Sequence, residues 1–233
     1  MRIAEIYASL QGEGLLAGTP SVFVRTSGCN LRCTWCDTPF TSWAPEGDDW
    51  TVGRITDRVI ATGMRHAVIT GGEPLLFQET VDLSAALRAA GLHVTVETAG
   101  TVLPAVGGVQ ADLMSISPKL ASSAPAADVP GNWARRHEAA RRRDDVLRTL
   151  MEPGRWQLKF VIDSQADLAE AAGWIEALGI EPRHRRGVFV MPQGRSAPEL
   201  RRTSAWLETA CRGHGFRFAP RHHIAWFGHA RGT

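Results

Sequence analysis

The clearest candidates for chemistry in this sequence are three cysteines, Cys29, Cys33 and Cys36, in the run GCNLRCTWCDTPF. Their CxxxCxxC spacing supplies three thiolates from one short loop, so a four-iron cluster bound there would keep one iron without a protein ligand. A closed structural zinc site usually takes four ligands, and the fourth cysteine, Cys211, lies far along the chain. The spacing therefore favours an iron–sulfur cluster over zinc, and Cys211 is interpreted as a structural cysteine on an apolar helix face.

A second motif, Gly71-Gly72-Glu73-Pro74, follows the apolar run AVIT. Its glycines let the backbone approach a ligand closely and Glu73 offers a carboxylate, although the four residues alone are also compatible with an ordinary turn. Together with the cysteine loop, the motif resembles the signature of the radical S-adenosylmethionine superfamily. The resemblance implies a 4Fe-4S cluster whose open iron is chelated by S-adenosylmethionine, with the glycine-rich motif at the ammonium group of that cofactor.

Polar side chains are also expected at the ends of later strands, where ligand sites of βα barrels collect. Glu97 and Thr98 suit ribose hydroxyls, and a paired structural carboxylate is the alternative interpretation of Glu97. Ser117 and Lys119 suit a carboxylate, whereas Trp35 is expected to pack beside the adenine or to cover the cluster. The expected contacts of S-adenosylmethionine are Trp35, Gly72, Glu73, Glu97, Thr98, Ser117, Lys119 and Gln193, and Lys159 ends a further strand.

The elements that position these residues are predicted from apolar β-rich runs that alternate with helical patterns, as in parallel βα units. Residues 79–91 follow helical spacing and end at a glycine, which predicts a crossover helix. The predicted fold class is α/β, an incomplete TIM-like βα barrel of about six parallel strands. Strands are expected near Arg2–Tyr7, Ser21–Ser27, Ala67–Thr70, Leu92–Glu97, Asp112–Ile116, Gln157–Ile162 and Gly187–Met191.

Composition restricts the class of protein. The 233 residues are 44% hydrophobic and 21% charged, which is enough to bury one large core, and the chain is predicted to form a single domain over residues 1–233. A net charge of +2 does not indicate a nucleic-acid partner, and no apolar run is long enough to cross a membrane. Three crowded cysteines do not form an extracellular disulfide framework, so a reducing cytoplasmic location is expected.

The segment between Lys119 and Trp156 departs from this alternation. It is rich in alanine, serine, proline and arginine, and contains the run WARRHEAARRRDDVLRTL. A solvated helix with mixed charges, flanked by loops, is a better interpretation than an RNA-binding patch, because Asp144 and Asp145 partly offset the arginines. We treat it as a helical and loop insert around residues 120–155 without an assigned role.

A narrower resemblance extends over nearly the whole chain. The segments EIYASLQGEG, VFVRTSGCNLRCTWCDT, GGEP, VETAGT, SISPKL, LKFVI, VMPQG and HHIAW follow in this order. They are similar to the 7-carboxy-7-deazaguanine synthase family. The resemblance implies an incomplete barrel, usually a homodimer, and a radical carbon–nitrogen lyase. It would rearrange 6-carboxy-5,6,7,8-tetrahydropterin to 7-carboxy-7-deazaguanine with loss of ammonia, assisted by Mg²⁺ and supplied with electrons by a reductant such as flavodoxin or ferredoxin.

The resemblance also implies roles for individual residues. Gln11, Glu13 and Arg25 would hold the pterin, since an amide and a carboxylate suit its aminopyrimidinone edge and a guanidinium suits its carboxylate. Thr38 would be the magnesium ligand, with water and substrate oxygens completing the octahedron. The full substrate set implied by the motifs is Gln11, Gly12, Glu13, Gly14, Arg25, Gly71 and His223.

Some departures and alternatives remain open at the level of sequence. Ala99 stands where the family pattern has asparagine or serine, and Arg221-His222 replaces a more usual Gln-Leu. One alternative is an activase of the same superfamily that installs a glycyl radical on a partner protein. Another is a non-enzymatic iron–sulfur electron carrier or zinc module. The sequence does not indicate whether the product serves queuosine, modified DNA or a nucleoside natural product.

Overall fold

The computed structural model describes residues 1–152 and 154–233, and its strands form one nine-stranded sheet in the order β3-β1-β2-β4-β5-β6-β7-β8-β9. The strands are β1 Arg2–Leu10, β2 Pro20–Thr26, β3 Asp48–Asp49, β4 His66–Gly71, β5 His93–Thr98, β6 Leu113–Ile116, β7 Trp156–Ile162, β8 Val188–Pro192 and β9 Arg217–Phe218. The helices are α1 Pro39–Ser42, α2 Val52–Ile60, α3 Glu79–Ala89, α4 Trp133–Arg141, α5 Asp144–Met151, α6 Gln165–Ala177, α7 Ala197–Gly213 and α8 His222–Phe227.

The sheet is mostly parallel and open, which confirms the predicted incomplete barrel. From β2 through β4 to β9, each strand pairs in parallel with the next strand of the sheet. The central strands are apolar on the face that packs in the core with the helices, whereas their other face carries polar side chains such as Thr70, Glu97 and Lys159 into the cavity. The seven predicted strands are all present within a few residues of their expected ends. The sequence analysis missed β3 and β9, which are two residues each and too short to carry a periodic pattern.

The direction of β1 was not predicted. Six of the seven predicted strands, β2 and β4 to β8, are parallel, whereas β1 pairs with β2 antiparallel, from Ile3 opposite Thr26 to Leu10 opposite Pro20. The connection between the two strands, residues 11–19, is too short for the crossover helix that a parallel pair requires. As a result this connection lies at one end of the sheet, where it carries the QGEG segment.

The helices pack outside the sheet and complete the core. α3 begins at Glu79 as predicted and ends at Ala89, two residues before the expected stop. α6 and α7 each begin with a capping box, formed by Ser164 with Asp167 and by Ser196 with Glu199, which satisfies amide groups that the helix itself leaves free. Cys211 is 1% exposed in the core formed by the sheet and these helices, as predicted for a structural cysteine.

The insert is not the solvated helix that the sequence analysis predicts. It contains a short 3-10 helix, Ala121–Ser123, followed by α4 and α5. α5 buries Val146, Leu147 and Leu150 in the main core, and α4 buries His137 completely and Arg141 almost so. The sequence pattern did not identify these positions because the buried residues of α4 are polar, and hydrophobic periodicity detects only apolar faces.

A search of the described residues for membrane spans finds no helix with the length and apolar character needed to cross a bilayer.

Candidate active site

A cavity of about 290 Å³ opens at the carboxyl ends of the parallel strands. The cysteine loop forms one side of it, and the QGEG connection with the C-terminal segment forms the other. The cavity brings together most of the residues that the sequence analysis selected from separate motifs. From that set it is lined by Gln11, Gly12, Glu13, Arg25, Cys29, Cys33, Trp35, Cys36, Thr38, Gly71, Gly72, Glu97, Thr98, Ser117, Lys119, Lys159 and His223.

The cysteine loop presents three free thiols to this cavity. The Leu31 amide donates to Cys29 Sγ at 3.4 Å, and Ser42 Oγ lies 3.3 Å from Cys36 Sγ. Burial raises the pKa of Cys29 and of Cys33 to about 12 in the metal-free protein. Both therefore remain protonated at neutral pH until a metal ion displaces the proton, as is usual for thiolate ligands.

The surroundings of the thiols fit a cluster. Leu31, Cys33 and Ala99 form a small buried apolar group against which Cys29, Cys36 and Ala140 pack. Within residues 1–152 and 154–233, no three His, Cys, Asp or Glu side chains are gathered in a way that could hold a single metal ion. The loop thus has three thiols in a largely apolar site open to a cavity, which suits a four-iron cluster with one accessible iron better than a closed zinc site.

The glycine-rich turn after β4 lies against the cysteine loop. The Glu73 amide donates to Gly28 O at 2.9 Å, and the Gly72 amide donates to Thr26 O at 3.2 Å. Gly71 has φ +141°, and a Cβ there would lie 2.2 Å from Thr26 O. Only glycine is accommodated at Gly71. The turn therefore exposes its backbone to the cavity directly beside the first cysteine.

Glu73 itself does not line the cavity and lies behind its wall, in contrast to the predicted contact with the cofactor. Its side chain is fully buried and accepts hydrogen bonds from Thr98 Oγ1 at 2.7 Å, the Ala99 amide at 2.8 Å and the Leu75 amide at 3.1 Å. Burial raises the pKa of Glu73, and these neutral donors offset the rise only in part. Glu73 thus joins the turns after β4 and β5. The Thr98 hydroxyl, which was predicted to bind ribose, donates its proton to Glu73 instead.

The remaining predicted cofactor residues divide between two places. Ser117 and Lys119 line the cavity, where Lys119 Nζ donates to Ser117 Oγ at 2.8 Å. Trp35 lies between this cavity and a shallow polar groove of about 320 Å³. Gln193 lines that groove together with Trp35 and does not line the cavity, so the structure does not bring Gln193 to Ser117, Lys119 and the other predicted cofactor residues there.

Three charged side chains, of which the central lysine is buried, form a network across the cavity floor, which we call the Glu13 network. Lys159 is 4% exposed, and its Nζ donates to Glu97 Oε1 at 2.8 Å and to Glu13 Oε2 at 3.1 Å. Burial alone would raise the pKa of Glu13, but Lys159 and Arg221 lower it far below its ordinary range. Burial alone would lower the pKa of Lys159, yet the two carboxylates raise it. Glu13 is consequently ionised at neutral pH.

Arg221 joins this network to the cysteine loop. It is 6% exposed, and its Nε donates to Glu13 Oε1 at 3.1 Å while Nη2 donates to Asp37 Oδ2 at 2.6 Å. Its Nη1 donates to Gly194 O at 2.8 Å. Asp37 lies between Cys36 and Thr38, so one guanidinium links the QGEG connection, the third cysteine and the loop after β8.

The other residues predicted to bind substrate lie around the network. Arg25 donates from Nε to Glu5 Oε1 at 2.7 Å and from Nη2 to the Tyr7 hydroxyl at 2.5 Å. Gln11 is buried and donates from Nε2 to Ser21 Oγ at 2.9 Å. His223 Nδ1 lies 3.9 Å from Glu13 Oε1, and burial lowers the pKa of His223.

Two of the predicted glycines differ in position. A Cβ on Gly12 would lie 2.4 Å from His223 Nδ1, so Gly12 allows the C-terminal histidine to pack onto the QGEG connection. Gly14 does not line the cavity. It has φ +71° and packs against the Gln157 amide, whose Oε1 accepts a hydrogen bond from the Leu15 amide at 2.8 Å. Gly14 therefore shapes the connection and does not contact the cavity contents.

Thr38 faces the cavity directly after the cysteine loop. Its Oγ1 lies 4.0 Å from Cys36 Sγ and 3.1 Å from Thr41 Oγ1. A hydroxyl in this place can act as a single protein ligand to a hard cation, provided that water and substrate supply the other oxygens.

Sequence reasoning missed several residues of the site. Lys159 was noted only as a strand end, although a lysine inside the apolar run WQLKFVI signals a buried cation that needs partners. Arg221 was noted only as a departure from the family pattern. Tyr7 and Phe23 stack with centroids 5.1 Å apart at 7° and line the cavity. No local signal identifies the C-terminal lining residues Gly228, His229, Ala230 and Thr233.

Comparison with known proteins identifies the chain's relatives. Residues 23–155 match the family model described as the radical SAM superfamily. Curated proteins named 7-carboxy-7-deazaguanine synthase are similar over nearly the full length. The protein from Rhodopirellula baltica is 44% identical over 99% of this chain and 88% of its own length, and that from Halobacterium salinarum is 43% identical over 96% and 89%.

Solved structures agree in fold. The crystal structure of QueE from Escherichia coli superposes with a TM-score of 0.68 at 22% identity, covering 95% of this chain and 94% of that one. A structure of TYW1 with a lysine-pyruvate adduct bound gives a TM-score of 0.56 at 13% identity, over 81% of this chain and 73% of the other. At these identities the structures support the partial-barrel fold alone.

Proposed function

This chain belongs to the radical SAM superfamily and, within it, to the 7-carboxy-7-deazaguanine synthase family, and we propose that it makes 7-carboxy-7-deazaguanine from 6-carboxy-5,6,7,8-tetrahydropterin with loss of ammonia. It is a radical SAM enzyme with a 4Fe-4S cluster and S-adenosylmethionine as its cofactors. The two alternatives, a glycyl-radical activase and a non-enzymatic carrier, gain no support from the comparisons. The relatives that are 44% and 43% identical to this chain are both named 7-carboxy-7-deazaguanine synthase.

One observation carries the choice of substrate: the three cysteines and an ionised Glu13 line the same cavity. A carboxylate only accepts hydrogen bonds, so Glu13 selects for a ligand edge that carries N–H donors. The aminopyrimidinone edge of a pterin has such donors, and the buried Gln11 amide lies in the same wall. Lys159 and Arg221 hold Glu13 in its ionised form before the substrate arrives, which avoids a reorganisation cost during binding.

Arg25, Tyr7 and Phe23 support the orientation of the bound ring. The stacked Tyr7 and Phe23 rings offer an apolar wall to a flat bicyclic ligand. The Arg25 guanidinium lines the cavity while Nε and Nη2 are bound by Glu5 and Tyr7, which fixes the plane of the guanidinium. Its charge is then available to the substrate carboxylate, in the geometry that arginine uses for such groups.

The protein's part in the chemistry is to bind, orient and exclude water. When bound, the cluster and S-adenosylmethionine supply the radical that removes a hydrogen atom from the substrate. Cys29, Cys33 and Cys36 would hold the cluster, and the exposed backbone of Gly71 and Gly72 would allow the cofactor to approach beside it. The Glu13 network lies across the floor of the same cavity, so substrate and cofactor would meet within one space.

Thr38 would be the one protein ligand of Mg²⁺, with substrate carboxylate and water oxygens as the others. Its hydroxyl lies on the cavity side of the cysteine loop, 4.0 Å from Cys36 Sγ. Thr38→Ala should weaken the apparent affinity for Mg²⁺ by about tenfold while S-adenosylmethionine affinity stays unchanged. Thr38→Ser keeps the hydroxyl and serves as the control. Equal losses of both affinities in Thr38→Ala would remove the proposed role.

The decisive experiment is anaerobic reconstitution with iron and sulfide. The enzyme is then incubated with the carboxy-tetrahydropterin, S-adenosylmethionine, dithionite and Mg²⁺, and the deazaguanine is detected by mass spectrometry. Cys33→Ala should contain little iron and form no product, whereas Cys211→Ala should retain both. A preparation that cleaves S-adenosylmethionine but releases no deazaguanine would overturn the substrate and leave the superfamily assignment intact.

Several further properties belong to the same proposal. The chain would act as a single domain over residues 1–233 and as a homodimer in the cytoplasm, with flavodoxin or ferredoxin as the physiological reductant. Queuosine is the first destination of the product to test. If the product serves queuosine, a strain that lacks the gene should lose queuosine from its transfer RNA. Sedimentation velocity of the reconstituted enzyme tests the dimer.

A further inference from the structure

The arginine-rich insert is fixed to the cysteine loop at the two residues that flank Cys33. The Arg32 amide donates to His137 Nδ1 of α4 at 3.2 Å, and the Thr34 amide donates to Ser123 O at 2.9 Å. The insert therefore binds the backbone on both sides of the middle cysteine. Neither contact follows from the cysteine motif itself.

The two partners in the insert are bonded to each other. Because His137 Nδ1 accepts from the Arg32 amide, the imidazole proton lies on Nε2, and Nε2 donates to Ser123 Oγ at 2.9 Å. The Ser123 hydroxyl in turn donates to Leu120 O at 2.6 Å. Each polar atom in this chain of hydrogen bonds has a partner, and both side chains are fully buried. We call this arrangement the His137 clamp.

Other contacts hold α4 in place. The Trp133 ring lies between two guanidinium groups, with Arg32 at 4.0 Å and Arg136 at 3.9 Å from its centroid. Arg32 Nη1 also donates to Cys29 O and to Leu31 O at 2.8 Å. Ala140, one turn after His137, packs against the apolar group around Cys33. The insert thus packs against the cysteine loop at Arg32, Cys33 and Thr34.

We propose that His137 and Ser123 are positioning residues for the 4Fe-4S cluster. By fixing the amides on both sides of Cys33, they would set the direction of its Sγ and keep water away from the cluster. Partners outside the ligand set commonly decide how tightly a metal is held and how it is tuned. The inference rests on cluster binding by the three cysteines and is independent of the pterin substrate. It also gives the insert a role that its composition does not reveal.

The test uses the reconstituted enzyme and two substitutions of one residue. In His137→Phe the ring volume is kept, but the Arg32 amide and the Ser123 hydroxyl lose their partner. In His137→Asn the Oδ1 atom can occupy the position of Nδ1 and accept from the Arg32 amide again. Leu150→Ala, in the core face of α5, destabilises the same insert without touching the His137 clamp and is the matched control.

Three measurements on each variant do not depend on turnover. They are iron and sulfide content after reconstitution, the rate of iron loss to an anaerobic chelator, and the electron paramagnetic resonance spectrum of the reduced cluster with its midpoint potential. We expect His137→Phe to lose iron at least about tenfold faster and to show an altered spectrum and potential. His137→Asn should recover most of the wild-type behaviour, and Leu150→Ala should lower the melting temperature with little change in the cluster.

The inference is overturned if His137→Phe and Leu150→Ala change iron loss and the spectrum equally at equal melting temperature. In that case the role of His137 is structural only. Should His137→Phe fail to fold, Ser123→Ala replaces it. This variant keeps the Thr34 amide bond but removes the acceptor of His137 Nε2, so the ring that holds the Arg32 amide is no longer fixed. An unchanged rate of iron loss in Ser123→Ala would also contradict the proposal. A wild-type protein that takes up no iron would overturn the cluster itself and this inference with it.

Discussion

Two carboxylates of the site have pKa values that are shifted in opposite directions, although burial acts on both in the same direction. Glu73 accepts from a hydroxyl and two amides, and burial raises its pKa. Glu13 lies between Lys159 and Arg221, and its pKa is lowered although burial acts in the other direction. The difference lies in the partners: the neutral donors around Glu73 offset its desolvation only in part, whereas Lys159 and Arg221 outweigh the desolvation of Glu13.

The two environments suit two tasks. The Glu73 turn joins the loops after β4 and β5 and holds the glycine backbone against the cysteine loop. It needs a fixed shape, which the three hydrogen bonds to the Glu73 carboxyl provide. The Glu13 network presents a permanent negative charge to the cavity, held by partners that are themselves buried. It suits recognition of a polar ligand edge, which requires an acceptor that does not change with modest changes in pH.

The largest expected effect comes from removing the cation of the Glu13 network. Lys159→Met leaves Glu13 and Glu97 without their shared partner. Breaking a buried pair costs about 3–5 kcal/mol of unfolding free energy, and we expect this as the upper limit here because both carboxylates keep some exposure to solvent and Glu13 keeps Arg221. The measurement is urea unfolding of the cluster-free protein under anaerobic conditions. Arg212→Met removes an exposed surface pair with Glu208 and should change little. A cost below about 1 kcal/mol for Lys159→Met would contradict a buried, energetically essential network.

Arg221→Gln tests the connection between the Glu13 network and the cysteine loop. It removes hydrogen bonds to Glu13 and Asp37, each charge-assisted, and should cost about 1.5–3 kcal/mol of stability. We expect the KM for the pterin to rise about tenfold, because Glu13 loses one of its two main cations, while the iron content stays constant. Arg217→Gln on the exposed face of β9 is the control. A loss of iron without a change in KM would place Arg221 with the cluster.

Glu73→Gln tests the turn and has a pH dependence. The glutamine oxygen can still accept from Thr98 and Leu75. Its NH2 group, however, faces the Ala99 N–H, so two donors meet, and this should cost about 1–3 kcal/mol of unfolding free energy. The folded-state pKa of Glu73 lies above the value of 4.5 of the free side chain, so its stabilising contribution is complete below pH 4.5 and is lost as pH rises. The deficit of Glu73→Gln should therefore shrink between pH 4.5 and 7, measured by urea unfolding. A deficit that grows with pH would contradict the raised pKa.

Glu13→Gln should show the opposite pH dependence, and the change measured per pH unit is the smallest of the four expected effects. The folded-state pKa of Glu13 lies below 4.5, so its contribution to stability is complete above pH 4.5 and is lost as pH falls. The wild-type protein should lose stability faster than Glu13→Gln on acidification from pH 4.5 to 3.5, by at most about 1.4 kcal/mol per pH unit for one group. Parallel curves for the two proteins would show that Glu13 is not stabilised by its cations.

The sequence predicted the main elements because each has a local signal. Seven strands follow from apolar runs, α3 from its spacing, and the cysteine loop from three residues of one type in eight positions. The direction of β1 did not follow from its own composition, and it was decided by the length of the connection to β2. The insert was misread because His137 and Arg141 are polar residues buried by partners elsewhere in the chain.

The sequence by itself determined the chemistry that this protein can carry: three thiols in one loop, glycines where the backbone must turn, and the order of motifs that identifies the family. The tertiary structure decided which charges meet. Glu13 pairs with Lys159, 146 residues away, and with Arg221, 208 residues away, while Glu73 is placed behind the wall of the cavity. Local spacing cannot encode such pairs, because strand order and loop path set the distance between side chains that are remote in the chain.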